Sequence, residues 1–143
     1  MALIKVVDAM SRNPIVVSLN DTVQECANKM INNKVGSVVV LENGILRGII
    51  TEKDLVEKVV AKSFDSKKKI AQDVMVSRVH TTNPDKDLQE VIRYMIQNRV
   101  RRLPVVDKNN KLVGMLTETD IVRIQPALVD LITERWLVGK RTI

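Results

Sequence analysis

Hydrophobic and polar positions follow two periods along the chain, and the same order of periods occurs twice. Over residues 22–33 and 87–98, apolar side chains recur at the three- and four-residue spacing of a helix that buries one face. We therefore predict a helix in each stretch. The apolar positions are Val23, Ala27, Met30 and Ile31 in the first stretch and Leu88, Ile92, Met95 and Ile96 in the second.

Short runs rich in β-branched residues surround both helices and predict strands. In the first half they cover residues 15–17, 37–41 and 45–50, and in the second half 80–82, 103–106 and 112–116. Asn43 and Gly44 tolerate positive φ, so the second and third runs of the first half should form a hairpin. Pro104 lacks an N–H donor, and we expect its nitrogen side to face an unpaired edge.

The two halves are copies of one another. A shift of 65 residues places Asp8-Ala9-Met10 on Asp73-Val74-Met75, and one extra residue near Asn109 then places residues 48–54, GIITEKD, on residues 114–120, GMLTETD. Matches this long indicate an internal duplication. We predict repeats over residues 1–62 and 71–124, a polar linker over 63–70 and a carboxy-terminal helix over 125–143.

Each repeat reads strand, helix, strand, strand, helix, which predicts a mixed α/β (α+β) fold. About 50 residues bury little apolar surface alone, so the two copies should cover each other's apolar faces. We expect one compact module in which the repeats are related by a pseudo-two-fold axis.

Composition adds charge and excludes a membrane span. The chain has 23 Lys and Arg against 17 Asp and Glu, a net charge of +6, which attracts polyanions but also fits a solvated surface. Cys26 is the single cysteine, so an intramolecular disulfide is excluded. No apolar run approaches the roughly 18 residues of a membrane span. We predict a cytoplasmic protein.

The two strand-to-helix junctions carry the candidate chemistry. A strand ending at Gly48 and a helix opening at Thr51 would offer backbone N–H groups and a hydroxyl to an anion. A carboxylate such as Asp54 has two oxygens that match the cis-diol of a ribose. The spacing also fits a capping box, in which Thr51 and Asp54 bind each other's backbone N–H. Ligand binding and capping are partly compatible roles. Thr117 and Asp120 have the same spacing at the second junction, so the same two roles are open to them.

The doubled Gly-x-x-Thr-x-x-Asp junction, the sequence RVRRLPVVD and the tandem spacing resemble the CBS (cystathionine β-synthase) domain, which occurs in pairs as the Bateman module. The resemblance covers residues 5–123. It implies a free-standing regulatory module that is not an enzyme, needs no cofactor and binds an adenine nucleotide. AMP is the first choice, then ADP or ATP, with S-adenosyl compounds and NAD as alternatives. It also implies a homodimer that signals to an unidentified effector protein.

The resemblance implies two nucleotide sites, each joining the Thr and Asp of one repeat to strand residues of the other. Because Arg101 and Arg102 in one site are replaced by Gly36 and Ser37 in the other, the sites should differ. His80 has no ligand partner at metal spacing, so we expect no metal site. Site 1 would contain Thr117, Asp120, Ile15, Val35, Gly36 and Ser37; site 2 would contain Thr51, Asp54, His80, Val100, Arg101 and Arg102.

Two other functions compete with nucleotide sensing. The basic excess, with Arg99, Arg101 and Arg102 as a patch, would suit nucleic acid, although the chain lacks an aromatic platform for single strands. A dimerisation module with unused pockets is the second.

The carboxy-terminal segment has apolar residues at helical spacing, namely Leu128, Leu131, Ile132 and Trp136. The predicted helix would pack on its own domain or contact a second chain.

Overall fold

The structure is a computed structural model that describes residues 3–124, so the predicted carboxy-terminal helix lies outside the described residues. No helix within residues 3–124 has the length and apolar character needed to cross a bilayer. The elements are α1 (Val6–Ala9), β1 (Val16–Ser18), α2 (Val23–Asn33), β2 (Ser37–Glu42), β3 (Ile45–Thr51), α3 (Glu52–Leu55) followed by a π-helical segment (Val56–Val60), α4 (Ala71–Val74), α5 (Leu88–Asn98), β4 (Arg102–Val106), β5 (Leu112–Thr117) and α6 (Glu118–Ile124).

The described chain divides into two compact units. The first unit contains residues 14–79 and 109–112, and the second contains residues 3–13, 80–108 and 113–124. Each unit mixes helices and strands around its own apolar core, which confirms the α+β class. The first core includes Val38, Val40 and Ile50, and the second includes Leu103 and Leu116.

The first unit is built on a three-stranded sheet in the order β1-β2-β3. Strand β1 runs parallel to β2, and β2 pairs antiparallel with β3 through the predicted hairpin. Asn43 and Gly44 form its two-residue loop with φ of 54° and 79°, as a type I′ turn requires. The hairpin prediction is therefore confirmed.

In the second unit, β4 and β5 form a two-stranded sheet, and the predicted strand over residues 80–82 is wrong. Only Thr82 pairs there, in a parallel bridge to Val105. In the first unit the N–H of Val39 donates to the carbonyl of Ile15 at 3.0 Å. Pro104 occupies the position of Val39 and has no N–H to donate. Thr82 N donates to Pro104 O at 3.1 Å, so this side of Pro104 faces the 80–82 segment without an N–H to offer, and the ladder stops at one bridge.

The amino-terminal segment of each repeat packs in the unit that contains most of the other repeat. In the second unit the N–H of Val6 donates to Lys86 O at 3.0 Å, and Leu88 N donates to Ile4 O at 2.8 Å. In the first unit, Ala71 N donates to Asp21 O at 2.8 Å. The compact units therefore cut across the repeats defined by sequence similarity.

The long helices begin and end as their sequences direct. Thr22 caps α2 in a capping box with Glu25, and the Asp87 side chain accepts from Gln89 N at the start of α5. Both helices end at a residue in the left-handed conformation, Lys34 with φ 53° and Arg99 with φ 55°. These caps place the ends of α2 and α5 directly before β2 and β4.

The predicted linker closes the start of α2 from outside the helix. Val23 N donates to Lys69 O at 2.8 Å, and Gln24 N donates to Ser66 O at 3.0 Å. The Lys69 ammonium lies 4.2 Å from the centroid of the Phe64 ring. The lysine-rich turn thus satisfies N–H groups that a helix leaves without intrahelical partners.

Candidate functional site

The first junction is a capping box in which Asp54 makes an additional ion pair. Thr51 Oγ1 accepts from Asp54 N at 3.2 Å, while Asp54 Oδ2 accepts from Thr51 N at 2.9 Å and from Thr51 Oγ1 at 3.0 Å. The other oxygen, Oδ1, lies 3.2 Å from Lys58 Nζ, which also donates to Val74 O at 2.9 Å. One carboxylate oxygen therefore holds the helix start, and the other holds a cation.

The second junction repeats the cap but gives the outer oxygen a neutral partner. Asp120 Oδ2 accepts from the N–H and the hydroxyl of Thr117, both at 2.9 Å, and Thr117 Oγ1 accepts from Asp120 N at 3.3 Å. Oδ1 accepts from the Ser11 hydroxyl at 2.9 Å. The two junctions thus share one geometry and differ in what contacts Oδ1.

Most of the backbone N–H groups that the sequence predicted to be free at these helix starts have partners within the fold. Thr51 N and Asp54 N are used in the cap, and Glu52 N donates to Gly36 O at 3.1 Å. The second junction repeats the last bond, from Glu118 N to Arg101 O at 3.2 Å. Strand β3 also continues to Thr51 rather than ending at Gly48. Three of the first four backbone N–H groups at each helix start are therefore bonded within the fold.

Burial separates Asp54 and Asp120 from the other capping carboxylates. Asp54 is 8% exposed and Asp120 is 5% exposed, and they are the buried charged residues within residues 3–124. Asp8 and Asp73 bind their N-cap backbone N–H groups in the same way, at 2.9 Å and 3.0 Å, yet both are exposed. A buried carboxylate carries a desolvation cost that a helix cap alone does not require.

The glycines of the two junctions are needed for packing. A Cβ on Gly48 would lie 2.7 Å from Met75 Sδ and 2.9 Å from Val76 O. A Cβ on Gly114 would lie 2.7 Å from Met10 Sδ and 2.8 Å from Ser11 O. The amino-terminal segment of each repeat therefore fits only against a glycine.

Among the predicted strand residues, the structure places Val35, Gly36 and Ser37 beside the junction of their own repeat. Val35 N closes α2 by donating to Met30 O at 3.0 Å, and Gly36 O accepts from Glu52 N. Ser37 pairs with Thr51 across the hairpin. Ile15, which precedes β1, belongs to the same unit. These residues were assigned to the site of Thr117 and Asp120, and that grouping stays a prediction.

The second unit shows the corresponding arrangement. Val100 N closes α5 through Met95 O at 2.9 Å, Arg101 O accepts from Glu118 N, and Arg102 begins β4. The ring of His80 contacts Tyr94, with a hydrogen bond between Nδ1 and the phenol oxygen. Within residues 3–124, no three His, Cys, Asp or Glu side chains come together as a metal site would require. The assignment of these residues to the site of Thr51 and Asp54 also stays a prediction.

Lys58 and Ser11 were not among the predicted site residues. Lys58 lies one helical turn after Asp54, at the i,i+4 spacing of a helical ion pair, so the sequence contained a signal for it. Ser11 is 109 residues from Asp120 and has no such local signal. Comparison of the two repeats gives no signal for either residue, because Ser11 aligns with Val76 and Lys58 aligns with Ile124.

Comparison with known proteins agrees with this architecture. The CBS domain family model matches residues 6–61 and 71–127. A CBS domain-containing protein of Bacillus subtilis is 35% identical over 114 residues, which is 80% of both chains. A CBS domain pair solved with 5′-methylthioadenosine and S-adenosyl-L-methionine is 29% identical, with a TM-score of 0.76 over 86% of this chain and 96% of that one. CBSX2, solved with AMP, is 27% identical, with a TM-score of 0.73 over 84% and 94% of the two chains. The chain belongs to the CBS domain family and contains a tandem pair of these domains.

Proposed function

We propose that this chain is a regulatory module that binds adenine nucleotides at its two Thr–Asp junctions, with AMP as the first choice and ADP or ATP next. The observation that carries the proposal is the pair of buried carboxylates, Asp54 and Asp120, held in the same geometry. A structural cap does not require this burial, because the equivalent caps of Asp8 and Asp73 are exposed.

The carboxylates suit the ribose of an adenosyl ligand. In each junction Oδ2 is fixed by the cap, whereas Oδ1 is held by one side chain that can rotate away, Lys58 or Ser11. A ribose cis-diol needs two acceptor positions, and a carboxylate supplies about four in all. AMP, 5′-methylthioadenosine and S-adenosylmethionine, the ligands of the two neighbouring structures, share this diol. The ribose is therefore the group we expect the carboxylates to recognise.

The preference for a nucleotide over a neutral nucleoside rests on charge. The chain carries a net charge of +6, and the basic residues Arg101 and Arg102 stand at the start of β4. Such a surface favours a phosphate-bearing ligand. The proposal keeps the grouping implied by the family, in which the Thr and Asp of one repeat share a ligand with strand residues of the other. A ligand shared in this way would bias the arrangement of the two repeats and pass its occupancy to an effector protein.

The first test is calorimetric titration of the full chain with AMP, ATP, NAD and S-adenosylmethionine. Asn in place of Asp54 or Asp120 keeps the size of the side chain but removes its charge. Because hydrogen bonds to a charged group contribute about 1.5–3 kcal/mol each, we expect each single variant to lose one site and the double variant to weaken binding by about a hundredfold or more.

Asp73→Asn is the matched control, since Asp73 caps α4 through the same bond but is exposed. It weakens the same bond to the N-cap backbone N–H and should bind AMP as the wild type does. Unchanged AMP affinity in the Asp54→Asn/Asp120→Asn protein would exclude the junctions as the site. Salt-sensitive binding of a short DNA duplex, with no response to any adenosyl compound, would instead favour the nucleic-acid function.

A further inference from the structure

The two junctions differ in the charge beside the diol-binding carboxylate. Asp54 Oδ1 is paired with the ammonium of Lys58 at 3.2 Å, whereas Asp120 Oδ1 accepts from the neutral hydroxyl of Ser11 at 2.9 Å. Neither partner has a polar counterpart in the other repeat, because Val76 aligns with Ser11 and Ile124 aligns with Lys58. The Oδ1 atom of each carboxylate thus has one side-chain partner, and the two partners come from different segments.

Neither partner is compatible with a bidentate diol in its present position. Of about four acceptor positions on the Asp54 carboxylate, Oδ2 uses two for Thr51 and Oδ1 uses one for Lys58. One position remains, and a cis-diol needs two. Binding through both hydroxyls therefore requires Lys58 to leave Oδ1, and the same arithmetic applies to Ser11 at Asp120.

The displaced groups have different uses. The Lys58 side chain is 40% exposed and stands on a helical turn directly after Asp54, so its ammonium has room to move and must stay near the bound ligand. Of the groups of a nucleotide, the phosphate forms the strongest hydrogen bonds with an ammonium, because both partners are charged. A released Ser11 hydroxyl adds no charge, so Asp120 remains a full negative charge beside its ligand.

From this asymmetry we propose that Lys58 and Ser11 determine ligand charge at the two junctions. The Asp54 junction selects phosphorylated adenosine, because Lys58 moves from the carboxylate to the phosphate. The Asp120 junction makes no such selection and accepts neutral or cationic adenosyl compounds. This inference rests on the proposed function and adds the ligand class of each site.

The test measures the ratio of AMP to adenosine affinity at one junction at a time. In an Asp120→Asn background, where the Asp54 junction remains, we compare Lys58 with Lys58→Met, a neutral side chain of similar length. The lost contact between phosphate and ammonium should weaken AMP binding by about tenfold, with adenosine binding unchanged or slightly tighter. Lys58→Arg keeps the charge and should restore most of the AMP preference.

Two controls separate the outcomes. In an Asp54→Asn background, Lys58→Met should change neither ligand, and thermal unfolding of each variant shows that it is folded. Equal losses for AMP and adenosine, or an unchanged ratio, would overturn the role of Lys58 while leaving nucleotide binding in place. Absence of binding by the wild-type chain to either ligand would overturn the inference together with the proposed function.

Discussion

Replacement of Gly48 by alanine tests why the junction motif begins with glycine. The added methyl group would lie 2.7 Å from Met75 Sδ and 2.9 Å from Val76 O, whereas ordinary contacts of a Cβ begin at 3.4 Å. The methionine side chain can rotate, but the carbonyl cannot. Val76 and Ile49 exchange two backbone hydrogen bonds of 2.9 Å and 3.1 Å, so the carbonyl is fixed in place. The strand and the 75–76 segment must therefore separate by about half an ångström.

The cost follows from that separation. Overpacking of a well-packed site costs about 1–3 kcal/mol, and weakening the two Val76 hydrogen bonds adds to it. Alanine restricts the unfolded chain and returns about 0.4–1 kcal/mol. We expect Gly48→Ala to lower the free energy of unfolding by about 1–3 kcal/mol, and Gly114→Ala to do the same because Ser11 O lies 2.8 Å from its Cβ position.

The assay is equilibrium unfolding in urea, with the midpoint and slope compared between variants. The double variant Gly48→Ala/Met75→Ala removes the flexible neighbour and leaves the carbonyl, so it should not recover the stability of Met75→Ala alone. A Gly48→Ala protein as stable as the wild type would refute the packing role, and the glycine would then have to be explained by ligand access.

Three further predictions concern the helix ends and the buried cysteine. Glycine at Lys34 or Arg99 should raise the free energy of unfolding by up to about 1 kcal/mol, because both are non-glycine residues at left-handed helix ends; lower stability in both variants by urea unfolding would contradict this. Burial, with smaller effects of Asp21 and Glu25, raises the pKa of the Cys26 thiol from 9.0 to about 11. The folded state therefore favours the protonated thiol, and the stability difference between the wild type and Cys26→Ala should be constant below pH 9 and shrink towards pH 11. Alkylation of Cys26 at neutral pH should require unfolding, and rapid alkylation of the native protein would contradict its burial.

Sequence patterns predicted the elements whose signals are local. Helices α2 and α5 begin one residue inside their predicted ranges, because Thr22 and Asp87 are the capping residues and not the first helical ones. The hairpin loop follows directly from Asn43-Gly44. The family and the paired Thr and Asp positions were predicted as well, because a duplicated motif can be recognised from the sequence without knowledge of the fold.

The missing strand shows where local reading fails. Residues 80–82 resemble residues 15–17, but a strand needs a partner that donates and accepts along its length. Pro104 removes the donor opposite His80, and Val39 supplies it opposite Ile15. The outcome for one segment was decided by a residue more than 20 positions away.

The sequence by itself determined the repeat, the two long helices, the hairpin and the identity of the acidic residues, because each depends on neighbours within a few positions or on similarity between the two copies. Only the tertiary structure decided that residues 4–11 and 70–76 pack in the unit of the other repeat, which is why Gly48 and Gly114 cannot carry a side chain. It also decided that Asp54 meets Lys58 while Asp120 meets Ser11. Contacts between distant segments depend on the packing of a whole unit, and no local period along the chain encodes them.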